Sequence, residues 1–371
     1  MSRGSPLCYL YLVKYLNALN KISGVGPQKM KMLLAHFPNP EIAWKASLEE
    51  LQASKIGEKL AERMILERSY INPDAEWEKL EKESIKIITL DSDEYPSLLK
   101  EIHNTPYILY IKGEIDFINS SPLISIVGSR KYTSYGSQVA ENFSRDLANA
   151  GFTIVSGMAL GIDTFAHRGA LSANGKTIAV LGNGLDDGSL YPRNNFNLSR
   201  EIIENGALIS EYPFGTQAGP LTFPARNRIV AGLSLGTLVV EAGEKSGALI
   251  TAQMALDYDR EVFSVPGPIF SPQSAGTNNL IKKGAKLVAS VKDILEEFDL
   301  SVSKEPEKNM LKIPESEGEK ILLEILSSDP IHVDNIVRIS RLGTAEASAT
   351  LSMMEIKGWV KNIGGQNYIL L

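Results

Sequence analysis

Six short apolar runs recur at helix-length intervals between residues 121 and 299: Leu123–Val127, Thr153–Val155, Thr177–Leu181, Ala207–Ser210, Thr237–Val240 and Glu261–Val265. Runs of this kind are strands buried on both faces. Separated by amphipathic stretches such as Ser137 to Ala150 and Arg200 to Glu204, they specify an α/β fold with a doubly wound parallel sheet of Rossmann size. Such a sheet binds its ligands at the carboxyl ends of its strands.

Two of those ends carry phosphate-type loops one helix apart. The first is Ser125-Ile-Val-Gly128-Ser129-Arg130. The second is Ser156-Gly157-Met-Ala-Leu-Gly161-Ile-Asp163. Each follows an apolar run and precedes a helical stretch, so backbone N–H groups and a helix N-terminus converge on whatever lies between them. Gly128 permits close backbone approach, Ser129 offers a hydroxyl and Arg130 a fork of donors, a set suited to a phosphodiester. Ser156, Gly157 and Gly161 are the candidate contacts of the second loop. Neither loop has the glycine spacing of a dinucleotide fingerprint, and no acidic ribose ligand follows Val155. A G-x-x-x-x-G-K-[ST] loop is absent too, so no cofactor is expected.

Further basic residues fall in loops or helix starts of the same region. They are Arg193 after Tyr191-Pro192, the trio Arg226-Asn227-Arg228 after Phe223-Pro224, and Lys245-Ser246-Gly247 before the helix from Leu249. Two arginines at one helix start can both face a phosphate chain. Phe214 and Phe223 interleave with them as stacking surfaces for bases, at about 1–3 kcal/mol per base. Residues 121–299 hold 15 Lys/Arg against 17 Asp/Glu, and the whole chain has a net charge of −6. Bulk charge therefore excludes a nucleic-acid coat and requires a focused groove. No Ser or Cys nucleophile accompanies His167, and the four His residues lack metal-ligand spacing. A single Cys excludes an intramolecular disulfide framework, and no run reaches a membrane span, so the chain reads as cytoplasmic.

The flanks divide the chain further. Residues 1–72 read as a helical N-terminal domain. There Ile22-Ser-Gly-Val-Gly-Pro-Gln-Lys carries a helix-hairpin-helix signature that Ile56-Gly-Glu-Lys-Leu-Ala echoes. Such a turn can present N–H groups to DNA phosphate, yet with few basic side chains around it a plain bundle with Gly-capped turns fits equally well. The apolar stretch Leu7 to Leu19, interrupted by Lys14, reads as a helix packed on the next domain. Residues 73–120 connect to the core through strand-like Ile85–Leu90 and Tyr107–Ile111. Residues 121–299 are the Rossmann-like core, and residues 300–314 a Lys/Glu/Pro/Ser linker. Residues 315–371, with helices at Gly318–Ser327, Val333–Ile339 and Ala345–Lys357 and a closing hairpin, form a winged helix. That unit has five Lys/Arg and eight Asp/Glu, and its third helix has Glu346 and Glu355 but no Arg. A protein contact or a dimer-regulating role suits it better than DNA reading.

These motifs together resemble the DNA processing protein A (DprA/Smf) family. The resemblance rests on Ile126-Val-Gly-Ser-Arg130 with Tyr135-Gly136, Val155-Ser-Gly-x-Ala-x-Gly-Ile-Asp163 and Ile178-Ala-Val-Leu-Gly-x-Gly-Leu185. It continues through Tyr191-Pro192, Ser210-Glu-Tyr-Pro213, Phe223-Pro-x-Arg-Asn-Arg228-Ile and Ser246-Gly-x-Leu-Ile-Thr-Ala252. It implies an extended Rossmann fold with a helix-hairpin-helix (SAM-like) domain and a winged helix. It also implies a non-catalytic homodimer that binds single-stranded DNA without sequence preference, protects it and loads RecA recombinase in natural transformation, with single-strand binding protein as a further partner. By resemblance the phosphate contacts fall on Gly128, Ser129, Arg130, Arg193 and Arg226 to Arg228. A Lys usual between the Glu-Tyr-Pro and Phe-Pro motifs is absent, leaving Gln217 as a substitute contact. Two other readings stand beside this one. The first is a nucleotide phosphoribohydrolase of a related Rossmann group, against which Glu241-Ala-Gly-Glu-Lys-Ser-Gly replaces the expected Pro-Gly-Gly-x-Gly-Thr loop. The second is a scaffold whose loops bind a nucleotide signal.

Overall fold

The computed structural model describes residues 6–299, 314–327 and 329–370. The chain divides into two compact units, Met1–Ser301 and Val302–Leu371. All but the last residue of the expected linker 300–314 lie outside the described residues.

The first unit is built on a nine-stranded sheet. In chain order its strands are β1 (Lys86–Thr89), β2 (Ile108–Gly113), β3 (Leu123–Val127), β4 (Thr153–Ser156), β5 (Thr177–Leu181), β6 (Gly206–Ser210), β7 (Gly236–Val239), β8 (Glu261–Ser264) and β9 (Lys286–Leu287). Their spatial order is β1-β2-β6-β5-β4-β3-β7-β8-β9. From β6 to β9 every pairing is parallel, whereas β1 and β2 add on antiparallel. The expected strands are all present, and β3 to β7 are buried along their whole length. The sequence did not show the two-residue edge strand β9, which is too short to leave a period, nor that the connecting segment completes the sheet.

The order reverses between β3 and β7. Chain connections leave these neighbours in opposite directions and open a crevice beyond their carboxyl ends. Helices Ser134–Asn149 and Ile162–Ser172 cover one face with Ile124, Ile126, Ile154 and Phe152 in a shared core. Helices Thr222–Gly232 and Gly247–Asp257 cover the other face with Val127, Val155, Val180 and Val239.

The N-terminal helices have no separate core. Helix Pro6–Lys21 buries Tyr15, Leu16, Ala18 and Leu19 in a cluster that also contains Tyr110 of β2, Leu181 of β5 and Leu208 of β6. The Tyr110 hydroxyl donates to Asn17 Oδ1 at 2.8 Å and accepts from Asn20 Nδ2 at 3.2 Å. The expectation that Leu7 to Leu19 packs on the next domain thus takes the form of one continuous interior.

The second unit has helices Glu317–Ile325, Val333–Ser340 and Thr344–Ile356. Its strands are β10 (Ile331–His332), β11 (Val360–Asn362) and β12 (Asn367–Leu370), paired in the order β10-β12-β11. Leu322, Ile336, Leu351 and Met354 form its core. This is a winged helix, with β10 the one strand that its sequence pattern did not reveal.

Truncating Leu19, which is fully buried between the helices and the sheet, is expected to cost about 2–5 kcal/mol. In urea unfolding of Leu19→Ala followed by circular dichroism, N-terminal helices and sheet should unfold in one transition at a lower midpoint. Separate transitions would contradict the shared core.

Candidate nucleic-acid interface

The crevice at the strand-order reversal is a cleft of about 650 Å³. It is walled by Gly128–Lys131 beyond β3, Gly157 and Ala159 beyond β4, the start of helix Thr222–Gly232, and Gly243 with Lys245–Ala248 beyond β7. Its charged lining is Arg130, Lys131, Arg226 and Lys245 against one acid, Asp163. Arg130, Lys131 and Lys245 are solvent-exposed, and none of the ion pairs found among the described residues uses them. Fields focus in such a cleft, so a chain of net −6 presents a positive interior here.

Each wall is held by identifiable bonds. Ser129 N–H donates to the Glu241 carbonyl at 2.7 Å, which ties the first loop to the end of β7. Ser129 Oγ accepts from Lys131 N–H at 3.0 Å and lies 3.0 Å from Gln273 Oε1. Gly128 has no room for a side chain, because a Cβ would come within 2.6 Å of Ile162. The wall beyond β7 includes Ser246, the N-cap of helix Gly247–Asp257, whose hydroxyl accepts from Ala248 N–H at 3.3 Å. Asn227 Nδ2 reaches the Gly247 carbonyl at 3.5 Å and links the two helix starts.

Arg226 forms part of the floor. It is 5% exposed and donates through one terminal nitrogen to the Gly157 carbonyl at 2.7 Å and to the Val180 carbonyl. Its Nε has no partner. A Cβ on Gly157 would lie 2.5 Å from the guanidinium, so glycine is required there. Burial pulls Arg226 down to about 10, against the opposing pull of Asp163. Asp163 is pushed up by burial, while Arg226, the Ala159 and Gly157 amides and Arg130 favour its charged form. Its Oδ2 accepts from Gly157 N–H at 3.2 Å and from Ala159 N–H at 3.3 Å. The start of the second loop is therefore held by opposite charges, Arg226 on the Gly157 carbonyl and Asp163 on the Gly157 and Ala159 amides.

Aromatic surface lies beside the cations. The Arg130 guanidinium sits 5.1 Å over the Phe223 ring, and Tyr191 lies 5.8 Å from the same ring. Arg130, Gly157, Gly182, Tyr191 and Phe223 line a small side pocket that continues the cleft past β5.

Residues 86–299 match the family model described as DNA recombination-mediator protein A. Residues 306–366 match the DprA winged helix domain, and residues 16–69 a SAM-like helix-hairpin-helix tandem. Protein Smf of Synechocystis sp. is 37% identical over 392 aligned positions, covering 95% of this chain and 98% of its own. The DNA processing protein DprA of Bacillus subtilis is 41% identical, covering 62% of this chain and 74% of its own. The chain belongs to the DNA recombination-mediator protein A family. Among solved structures, DNA processing protein A of Streptococcus pneumoniae superposes with a TM-score of 0.67 at 37% identity, over 76% of this chain and 97% of that one. That of Helicobacter pylori, described for its single-stranded DNA binding mode, gives 0.53 at 32% identity, over 58% of this chain and 98% of that one.

The structure gathers part of the expected site into this cleft. Gly128, Ser129, Arg130, Gly157, Phe223, Arg226, Asn227, Lys245, Ser246 and Gly247 line it together. Others it does not bring there. Arg228, two positions past Arg226 on the helix, turns about 200° away and pairs with Glu211, so the two arginines do not face one phosphate chain. Phe214 packs against the N-terminal core, where its carbonyl accepts from Lys21 Nζ at 3.0 Å. Gln217 donates to Ser189 Oγ at 3.1 Å. Ser156 is fully buried with its hydroxyl on the Ile126 carbonyl at 2.6 Å. Gly161 takes a left-handed φ of +90° pressed against the Ser129 carbonyl. Arg193 donates to the Asp187 carbonyl at 2.7 Å and remains exposed outside the cleft. Sequence reasoning missed Lys131 and Gln273. Lys131 was legible as the residue after Arg130, whereas Gln273 reaches Ser129 across 144 positions.

His167 lies beneath this site, fully buried, with Nδ1 2.8 Å from the Thr177 hydroxyl. That hydroxyl donates to the Ile154 carbonyl, so Nδ1 carries a proton toward it, and burial keeps the ring neutral. Burial, with Arg226 adding to it, pushes His167 down to about 3. Below its ordinary value near 6.5 the unfolded chain takes up a proton that the native ring refuses. Stability should then fall by about 1.4 kcal/mol per pH unit down to about 3. His167→Gln should flatten that acid limb in urea midpoints measured between pH 7 and roughly 4, and an unchanged slope would contradict the buried neutral ring.

Proposed function

We propose that this protein is a sequence-independent single-stranded DNA-binding protein and recombination mediator. The observation that carries the reading is the cleft at the β3/β7 reversal, where four cations face one buried acid and Phe223 lies under Arg130. Phosphates are taken by Arg130, Lys131 and Lys245, by the Gly128 backbone and by the helix start at Ser246–Gly247. Arg226 and Asn227 hold those elements in register. Phe223 and Tyr191 offer ring faces to bases, and the track runs on over the side pocket toward exposed Arg193. The Helicobacter pylori relative, described as binding single strands, supports the reading.

On this reading the protein is non-catalytic. Asp163 is spent on two backbone amides and His167 is sealed in the core. It works in the cytoplasm, protects incoming strands and loads RecA recombinase during natural transformation, with single-strand binding protein as a further partner. Self-association as a homodimer is supported by Ile269 and Phe270, 82% and 93% exposed in the loop after β8, and by half-exposed Leu287 on edge strand β9. The winged helix serves protein contact. Its third helix exposes Ala345, Ala349, Ser352, Met353 and Ile356 as one stripe and no cation.

Anisotropy titration of a fluorescent oligo-dT tests the core claim. Single strands should bind more tightly than duplex, and nucleoside monophosphates should neither compete nor be cleaved to free base. Arg130→Ala should weaken binding at least about tenfold and reduce the slope of log K against log salt by about 0.7, the value of one single-strand phosphate. Unchanged affinity and slope would sink the reading. Loading is tested by RecA strand exchange on strands precoated with single-strand binding protein. The protein should relieve the block, and Arg130→Ala should not.

A further inference from the structure

The strand order makes β3 and helix Ser134–Asn149 the first crossover of the doubly wound sheet. In such sheets the N-terminus of that helix is where a dinucleotide's pyrophosphate rests. Here the chain fills the place itself. Glu241 follows β7, and its carboxylate is turned to the start of the helix. Its Oε2 accepts from Thr133 N–H at 2.9 Å and its Oε1 from the Thr133 hydroxyl. Thr133 is the N-cap, and its Oγ1 accepts in turn from Gly136 N–H at 3.1 Å. Gly136 has to be glycine, because a Cβ there would collide with the Glu241 carboxylate. The Glu241 carbonyl holds Ser129 N–H as well. Glu241 is 2% exposed, and no ion pair found among the described residues neutralises it. A backbone N–H, a hydroxyl and the positive end of a helix therefore hold this carboxylate, the same groups that would hold a phosphate.

We infer that Glu241 is a built-in anion that closes the first crossover to free nucleotide phosphates and diverts phosphates to Arg130, Lys131 and the helix start at Ser246–Gly247. It touches no ligand. Its carbonyl and carboxylate grip both ends of the segment Ser129–Thr133, which presents Arg130 and Lys131 outward. It is thus a positioning residue that also sets specificity, polymer phosphate over nucleotide. The inference rests on the single-strand reading of the cleft.

The test compares full-length wild type, Glu241→Gln and Glu241→Ala. Gln keeps the shape and both bonds, with Oε1 accepting from Thr133 N–H and Nε2 donating to the Thr133 hydroxyl, but removes the charge. Ala removes charge, bonds and bulk. Inorganic pyrophosphate and ADP are titrated by calorimetry, oligo-dT by anisotropy. Glu241→Ala should bind pyrophosphate about tenfold more tightly than wild type and oligo-dT about fivefold more weakly. Glu241→Gln should keep oligo-dT affinity within about twofold and gain about threefold for pyrophosphate. A loss of packing alone would lower oligo-dT affinity without creating pyrophosphate affinity. Unchanged pyrophosphate affinity in both variants overturns the inference, and if Glu241→Ala fails to show a cooperative melt, Glu241→Gln alone decides. Failure of wild type to bind oligo-dT would sink the single-strand reading instead, whatever pyrophosphate does.

Discussion

Arg226 is the interaction on which the rest of the site depends. It lies below the cleft, between the ends of β4 and β5, and donates to one carbonyl from each side. Opposite it Asp163 collects two amides of the same loop. Both groups are buried, and each charge favours the ionised form of the other. The position of Gly157 and the need for glycine there follow from placing a guanidinium where a hydrophobic residue would otherwise sit, and the same charge adds to the burial that lowers His167. What reaches solvent is a backbone rim held by these bonds, and on the proposed reading such preorganisation lets a few exposed cations act on a flexible strand.

The charge distribution follows the same economy. Acids outnumber bases across the chain, and much of the basic content is committed internally. Lys112 bonds Glu83 and Asp187, Arg200 bonds Asp187, Arg260 bonds Glu101 and Lys357 bonds Glu315 and Glu319. Exposed Arg130, Lys131 and Lys245 stand apart from these pairs at one crevice. On the proposed reading, selectivity for a single strand would come from place and shape: a cleft with a ring face beside the cations suits an unstacked base and its phosphate, which a stacked duplex does not offer.

Much of this was legible in the sequence because it rests on local chemistry. Fully buried strands announce themselves as apolar runs, and loops such as Gly128-Ser129-Arg130 need glycine and donors in a fixed order. What was not legible depends on direction and on partners remote in the chain. Arg226 and Arg228 are equivalent in a sequence, yet helix phase sends them to opposite environments, and only the position of Glu211 decides where Arg228 ends. Phe214 reads as a stacking ring until the N-terminal helices are placed against it. Glu241 reads as one acid in a loop, and its role appears once β7 is known to lie beside β3. Edge strand β9 carries two residues of pattern, too little to distinguish from turn.

The interior shared by the N-terminal helices and the sheet has a consequence for dissection. The family models draw a boundary between residues 69 and 86, yet no boundary exists in the packing. Cutting the chain there would bare the Tyr110 phenol, which sits between Asn17 and Asn20, and the apolar faces of β2, β5 and β6 together. The helices are thus part of the sheet's own covering, whether or not they ever touch a ligand.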